Sequence, residues 1–249
     1  MRSVRFLVVL IWSSYFGTLA VALEPDPSKV LEEAQEQTRQ GKYEEALQKH
    51  LWYHENAVKL DPAQTGVRLS FALSYWIELG AKYPKAKEAL VGIRDRDTKA
   101  IREGNGSFEL FHDVSSINRE LKEEVKTVAL FKTIDDKYPD LAKRCYQIVE
   151  KVLASQREYK LCIRYIGDPV ARFGRIQERR AMNLKLAKEL DEHLKEYAEK
   201  TFVEETCRLI DILIAADRKT DAENIRERAL AVSDVPAIRQ AVKKAVERK

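Results

Sequence analysis

Two histidines spaced four residues apart are the chain's clearest candidates for metal chemistry. His50 and His54 would share one face of a helix, which is the spacing that lets two imidazoles bind one zinc ion. However, Leu51 follows the first histidine where zinc-dependent hydrolases carry a glutamate, and beyond Glu55 no third ligand is evident nearby. We therefore expect packed or partly exposed histidines, no metal site and no cofactor.

Two acidic pairs supply the residue types of general acid–base catalysis. Asp95 and Asp97 flank Arg96, and Asp135 is followed by Asp136. A hydrolytic site would also need a nucleophile or a base beside such carboxylates, and neither pair is accompanied in sequence by Ser, Cys or His. We therefore predict helix-end charges and no catalytic residues. An unrecognised exported hydrolase remains an alternative.

A basic stripe is predicted on one helix in the second half of the chain. Arg172, Arg175 and Arg179 recur at intervals of three and four residues, which places them on one helical face. Such a stripe can receive an acidic peptide, a phosphate group or an anionic membrane surface. The alternative is a solvated helix face with no partner.

Two aromatic pairs offer binding surface. Trp52-Tyr53 and Tyr75-Trp76 are neighbours in sequence, so at helical spacing only one ring of each pair can enter a core seam. We expect the other ring to point outward, where it is a better binding candidate than any histidine.

The charge balance limits the kind of partner. The chain carries a formal net charge of +4, and removing Arg2 and Arg5 with a leader would lower this to +2. A nearly balanced surface argues against a dedicated nucleic-acid-binding protein, which carries a strong basic excess. Charged residues of both signs make up 34% of the chain, as expected for the exposed faces of many amphipathic helices.

The first 22 residues have the order of a secretory signal peptide. Two arginines precede an apolar run, and Ala20-Val21-Ala22 gives the small-residue cleavage pattern. We predict cleavage near Ala22, a mature chain that starts at Leu23, and a protein that is exported to the periplasm or beyond, without stable membrane insertion. An uncleaved membrane anchor is the alternative.

Three cysteines fit neither a disulfide framework nor a metal-ligand spacing. Cys145, Cys162 and Cys207 are odd in number and lie among apolar residues at helical spacing. We expect free thiols packed in the core, with a single bond between Cys145 and Cys162 as the alternative.

The rest of the sequence predicts an all-α protein with one helical domain over residues 23–249. Good helix formers dominate, and prolines fall between periodic segments rather than inside them. We expect Ser28 to cap the first helix. We predict helices over residues 28–39, 43–60, 66–79, 84–102, 108–121, 123–137, 140–154, 159–166, 169–190, 196–215, 221–232 and from 236 to the end.

Small residues at helix turns and crossings resemble the tetratricopeptide repeat family. The clearest unit has Gly41 at the turn, Ala46 and Ala57 at the crossings, and Pro62 at the exit. Five crossing positions are spaced by 40, 41, 35 and 60 residues, compared with 34 in a strict array. They are Ala46, Ala86, Thr127, Cys162 and Ala222. The last gap contains the 169–190 helix, which we predict to be an insertion or a degenerate repeat.

The resemblance implies a right-handed α-solenoid of degenerate hairpins with a C-terminal capping helix. It also implies a groove lined by the first helix of each hairpin. The lining positions carried over to this chain are Gln35, Thr38 and Arg39 from the first hairpin, Phe71, Tyr75 and Glu78 from the second, His112, Ser116 and Arg119 from the third, and Arg144, Gln147 and Lys151 from the fourth. Glu78 would then lie beside Arg119 and be partly paired with it.

These patterns favour a non-enzymatic scaffold that binds a protein or peptide partner. Long polar side chains around a few rings form an adaptable surface for an extended peptide. The alternative is a structural component of the cell envelope that assembles with copies of itself.

Overall fold

The computed structural model describes residues 25–189 and 193–248, and the predicted signal peptide and the predicted mature terminus at Leu23 lie outside these residues. Within the described part the chain is all-α, with no strand. The helices are α1 (Pro27–Arg39), α2 (Tyr43–Leu60), α3 (Thr65–Arg68), α4 (Phe71–Lys82), α5 (Pro84–Arg102), α6 (Phe108–Glu120), α7 (Glu124–Lys137), α8 (Pro139–Ser155), α9 (Tyr159–Tyr165), α10 (Pro169–Glu189), α11 (His193–Ala215), α12 (Lys219–Leu230), α13 (Pro236–Arg239) and α14 (Ala241–Arg248).

The start of the first helix differs from the sequence-based expectation. Asp26, not Ser28, is the N-cap, and its carboxylate accepts a hydrogen bond from the backbone N–H of Ser28 at 2.9 Å. Pro27 occupies the first helical position, where its missing N–H leaves no partner unsatisfied. Gly41 ends the turn between α1 and α2 with φ of +76°, a conformation that glycine adopts without strain.

The helix predicted over residues 66–79 is interrupted. The chain leaves helical geometry at Ser70, which has φ of −136° and ψ of −90°. The Ser70 hydroxyl donates to the backbone carbonyl of Gly66 at 2.7 Å, and the Leu69 carbonyl accepts from the Arg119 guanidinium. These side-chain bonds compete with the helical ladder, and the sequence pattern alone does not reveal them. The final predicted helix is likewise divided, into α13 and α14.

Consecutive helices pack as hairpin-like pairs. The pairs are α1 with α2, α4 with α5, α6 with α7, α8 with α9, and α11 with α12. The first helix of each later pair, namely α4, α6, α8 and α11, also packs against both helices of the preceding pair. The long helix α10 lies between the fourth and fifth pairs in sequence and packs along α11 and α12. The order of packing therefore follows the order of the chain.

The five predicted crossing positions are all buried, as the sequence indicates. None of these side chains is more than 1% exposed. The largest buried rings include Trp76, Phe111 and Phe131. Small side chains allow helices to approach closely, so burial of these five positions is what the predicted helix crossings require.

The cysteines are free thiols. Cys145 and Cys162 are fully buried, and burial raises the pKa of each thiol to about 12. Cys207 is half-buried. The alternative Cys145–Cys162 disulfide is therefore not present in this fold, and packing rather than cross-linking holds the described helices together.

Candidate functional site

A cleft between α6 and α8 brings together four side chains of the predicted binding face, His112, Ser116, Arg119 and Lys151. Its volume is about 510 Å³. The side chains that line it are His112, Ser115, Ser116 and Arg119 from α6, Glu124 from α7, and Ile148, Lys151, Val152 and Ser155 from α8. We call this cleft the α6–α8 groove.

Helical periodicity explains why these residues meet. On each of the two helices the lining positions follow the spacing i, i+3, i+4 and i+7, which is one helical face. The Ser107 hydroxyl fixes the start of α6 by accepting from the Leu110 backbone N–H at 3.1 Å. Because α8 packs against α6 as well as against α7, the two faces lie side by side.

The groove has more basic than acidic side chains. Arg119 and Lys151 are exposed cations, while Glu124 is the one carboxylate among the lining residues. Lys151 lies 3.8 Å from Glu204, at the outer limit of an ion pair. Burial lowers the pKa of His112, so its ring is neutral at pH 7. The cationic donors of the groove are therefore Arg119 and Lys151, and each also lies near a carboxylate outside the groove lining, Glu120 for Arg119 and Glu204 for Lys151.

Ser116 contributes a polar atom without a partner. The side chain is 1% exposed, and its hydroxyl oxygen makes no hydrogen bond among the described residues. A buried hydroxyl without a partner is unfavourable by about 1–3 kcal/mol. Because this oxygen is closed to solvent, a ligand in the groove reaches it only after the surrounding side chains move.

The predicted residues from α1 do not lie in this groove. Thr38 is buried, and its hydroxyl donates to the carbonyl of Ala34 at 2.9 Å. Gln35 is half-buried. Arg39 is exposed and pairs with Glu36 on its own helix at 2.7 Å.

The predicted residues from α4 are also outside the groove, although α4 packs beside α6. Phe71 is 63% exposed at the first turn of the helix. Tyr75 is half-buried and packs on the small apolar cluster that contains Tyr53. Glu78 is exposed and lies 3.9 Å from Lys82.

The expected pairing of Glu78 with Arg119 is not present. Arg119 instead donates to Glu120 at 3.1 Å and to the carbonyl of Leu69 at 2.7 Å. The Leu69 carbonyl lies next to the helix break at Ser70, whereas Glu120 is the immediate neighbour of Arg119 on α6.

One ring of each aromatic pair is buried, as expected, but the second ring packs against a core cluster and is not fully outward. Tyr53 and Trp76 are buried, while Trp52 and Tyr75 are half-buried beside the same small cluster. The strongest apolar candidate near the N-terminal hairpins is nevertheless Phe71, because its ring is the most exposed of these aromatic side chains.

The arginine stripe on α10 is largely engaged within the fold. Arg172 has a side chain that is 11% exposed and donates to Glu150, a buried carboxylate that also accepts from Arg208. Arg179 pairs with Glu205. Arg175 alone among the three is exposed with no ion pair to another described residue. The stripe thus presents one uncompensated cation and not three.

The histidine pair is packed around an indole ring. His50 is 1% exposed, stacks on Trp76 with ring centroids 5.5 Å apart, and has no hydrogen bond to either ring nitrogen from the described residues. His54 meets the same indole edge-on at 5.9 Å. Burial lowers the pKa of both imidazoles to about 4. The side chains therefore serve as uncharged rings at neutral pH.

The acidic pairs are held by basic or phenolic groups. Asp97 is buried and accepts from Arg96 at 2.7 Å. Asp135 accepts from Arg164 and from the Tyr165 hydroxyl. Burial of Asp97 within α5 differs from the helix-end position that the sequence indicated. Within the described ranges, no cluster of three or more His, Cys, Asp or Glu side chains could hold a metal ion.

One buried ion pair was not predicted from the sequence. Both nitrogens at the end of Arg68 bond the Asp113 carboxylate at 2.5 Å, although 45 residues separate them. The Arg68 Nε also donates to the His54 carbonyl at 2.7 Å. Because α3 is a four-residue helix with no apolar periodicity, no sequence signal pointed to Arg68.

Across residues 25–189 and 193–248, no helix is both long enough and apolar enough to span a membrane. Comparisons with protein-family models, with curated proteins and with solved structures found no match to this chain. The class that the fold defines is therefore an all-helical protein of sequentially packed hairpin-like pairs, and the site must be interpreted from its own geometry.

Proposed function

We propose that this chain is an exported, non-enzymatic scaffold that binds a peptide or protein partner in the α6–α8 groove. The observation that carries the proposal is the convergence of Arg119 from α6 and Lys151 from α8 on one cleft. A volume of about 510 Å³ falls within the usual range for a pocket that takes a few side chains.

The proposed architecture is a right-handed α-solenoid of degenerate tetratricopeptide-like hairpins, closed by a C-terminal capping helix. The packing of each first helix on both helices of the preceding pair supports this interpretation, as does the burial of the five crossing positions. In such a stack, a groove between successive first helices is the natural place for an extended ligand.

The side chains of the groove favour a partner with an anionic or acceptor-rich segment. Arg119 and Lys151 provide exposed donors, and Ile148 and Val152 of α8 provide apolar surface in the same groove. Charge-assisted hydrogen bonds to a carboxylate are roughly twice as strong as neutral ones. A short peptide that combines an acidic and an aliphatic side chain meets both features.

Selection from a random peptide display library on residues 23–249 tests this function. The selected peptide is expected to lose about tenfold in affinity with Arg119→Leu and with Lys151→Leu, because each change removes one charge-assisted bond. Arg175→Leu is the matched control, since it removes an exposed arginine from a different helix.

Two results would overturn the proposal. One is a selection that enriches no peptide. The other is a peptide whose affinity falls with Arg175→Leu but not with the groove variants, because the binding site would then be on α10.

Self-assembly is a second candidate function that a different observation favours. Met182 on α10 and Tyr197 on α11 are each 59% exposed, and they lie on two helices that pack against each other. Apolar side chains that form one contiguous exposed patch mark interaction surfaces. A light-scattering dilution series separates the two functions. A mass that rises with protein concentration and returns to that of one chain with Met182→Lys supports assembly through this surface.

A further inference from the structure

The connection between α2 and α4 is held in place mainly by polar contacts. Residues 62–70, which we call the strap, contain a single 3-10 turn (Pro62–Gln64), the short helix α3 and two further residues. Neither helical segment has a buried residue. Val67 is the one strap residue that packs against a neighbouring apolar cluster, and it is only partly buried. Little hydrophobic burial opposes opening of the strap.

Two long-range arginine contacts tie the strap to α6. The first is the forked pair from Arg68 of the strap to Asp113. The second runs in the opposite direction, from Arg119 of α6 to the Leu69 carbonyl of the strap at 2.7 Å. A further tie to α2 runs from the Tyr53 hydroxyl to the Gln64 side chain at 2.9 Å.

Arg119 therefore takes part in both the α6–α8 groove and the attachment of the strap. It lines the α6–α8 groove, and it also holds the end of the strap. Its partner in the strap is a neutral carbonyl, which is a weaker acceptor for a guanidinium than a carboxylate. The Nε of the same guanidinium donates to the neighbouring Glu120 carboxylate at 3.1 Å, so an anionic group in the groove competes with Glu120 and with Leu69 for Arg119. The bond to the neutral Leu69 carbonyl is the weaker of the two and is the one lost first.

We propose that the strap is a latch for the groove, and that Arg119 couples release of the strap to occupation of the groove by an anionic group. This inference rests on the proposed function for the identity of the site. In the free protein Arg119 holds Leu69. In the occupied protein Arg119 bonds the ligand, and the strap is held at α6 by the Arg68–Asp113 pair alone. By linkage, loosening the strap strengthens ligand binding by the same factor.

Amide hydrogen exchange of the strap tests the latch in the free protein. The amides of Gln64, Leu69 and Ser70 donate to carbonyls within the connection, so their exchange reports its opening. Arg119→Leu is expected to speed this exchange about tenfold, the factor associated with one charged hydrogen bond. Lys151→Leu is the matched control and should leave the exchange unchanged, because Lys151 makes no contact with the strap.

A charged probe placed in the groove tests the coupling without an identified ligand. Ser115 precedes Arg119 by one helical turn on the lining face, so a group attached there reaches the guanidinium. Ser115→Cys is labelled through a disulfide with a sulfonate-bearing, a trimethylammonium-bearing or an uncharged methyl reagent. The same reagents on the chain with serine at this position control for labelling of Cys207.

The sulfonate label is expected to speed exchange of the strap about tenfold relative to the methyl label, and the trimethylammonium label is not. Equal exchange with all three labels would overturn the latch. So would unchanged exchange in Arg119→Leu. If the exchange experiments contradict the latch but the selected peptide still depends on Arg119, only the latch is wrong and the proposed function stands. If the sulfonate label speeds exchange but no peptide can be selected, the proposed function is wrong and the coupling between groove and strap stands.

Discussion

The N-terminal hairpins and the C-terminal part of the described chain bury their apolar side chains in different ways. The helices from α1 to α6 contribute to two small clusters of buried apolar residues, one around Tyr53 and one around Trp76 that includes Ile117 of α6. A much larger cluster begins at Ile101, near the end of α5, and reaches Ala245. A side chain in a small cluster has fewer apolar neighbours that can rearrange around a change than one in the large cluster.

The two regions also bury different polar groups. The N-terminal region contains two uncharged histidines around one indole, and its Arg68 pairs with Asp113 of α6. The C-terminal region instead holds the Glu150 carboxylate between Arg172 and Arg208. We infer that lowering the pH destabilises the N-terminal region before the C-terminal region. Protonation of His50 and His54 there places positive charge on imidazole rings that are packed inside the fold.

The largest expected effect comes from the central ring of the continuous cluster. Phe131→Ala should lower the free energy of unfolding by about 3–5 kcal/mol, because Phe131 is fully buried against Phe111, Tyr146 and Tyr165. Tyr75→Ala, which truncates a half-buried ring in the N-terminal region, should cost less. Urea unfolding of both variants measures the difference, and equal losses would place Tyr75 in the core.

Acid should destabilise the protein through His50. Its pKa is about 4 in the folded protein, below the ordinary value of 6.5, so the unfolded chain takes up the proton first. The stability contributed by the neutral ring is complete above about pH 6.5, and by pH 4 about 3 kcal/mol of it is lost.

His50→Phe is the matched variant for this effect. It keeps a ring beside Trp76 and removes both nitrogens that lack partners. We expect stability within about 1 kcal/mol of the parent at pH 7 and a smaller loss on acidification. At pH 5 the backbone amides of α2 should exchange with solvent faster than those of α8, because α2 opens first. Simultaneous opening of both helices would contradict the regional difference.

Overpacking at the crossings tests both regions with one kind of change. Ala46→Leu and Ala222→Leu should each lower the free energy of unfolding by about 1–3 kcal/mol, because both side chains are fully buried where helices cross. The small N-terminal cluster has fewer neighbours to rearrange, so the loss at Ala46 should be the larger one. Unchanged urea midpoints would remove the repeat interpretation at these positions.

The smallest expected effect on stability is at the groove itself. Ser116→Ala should not lower the free energy of unfolding and should raise it by about 1 kcal/mol, because the buried hydroxyl it removes has no partner in the described structure. A loss above 1 kcal/mol in thermal unfolding would mean that this hydroxyl already has a structural role.

The sequence predicted the helices far better than the site. Glycine, proline and small residues act locally, so the bounds of α2 and α5 were predicted without error. The break at Ser70 was missed because it depends on Arg119, which is distant in sequence. Buried Asp97 was missed for a similar reason, since charge patterns alone do not distinguish a helix end from an interior face.

The same limit applies to the groove. Three predicted residues from α6 lie in it, because helical periodicity placed them on one face. The lining residues Ile148, Val152 and Ser155 of α8 were not predicted, since a family resemblance carried over position by position does not fix how two helices rotate against each other. The Arg172–Glu150 pair was missed likewise, because its carboxylate lies on another helix.

The location of a bound peptide tests the central claim most directly. Hydrogen exchange of residues 23–249 is measured with and without the peptide obtained from display selection. We predict slower exchange over residues 112–119 and 148–155, with the α10 residues around Arg175 unchanged. Protection confined to α10, or protection of neither helix that lines the groove, would contradict the assignment of this cleft as the binding site.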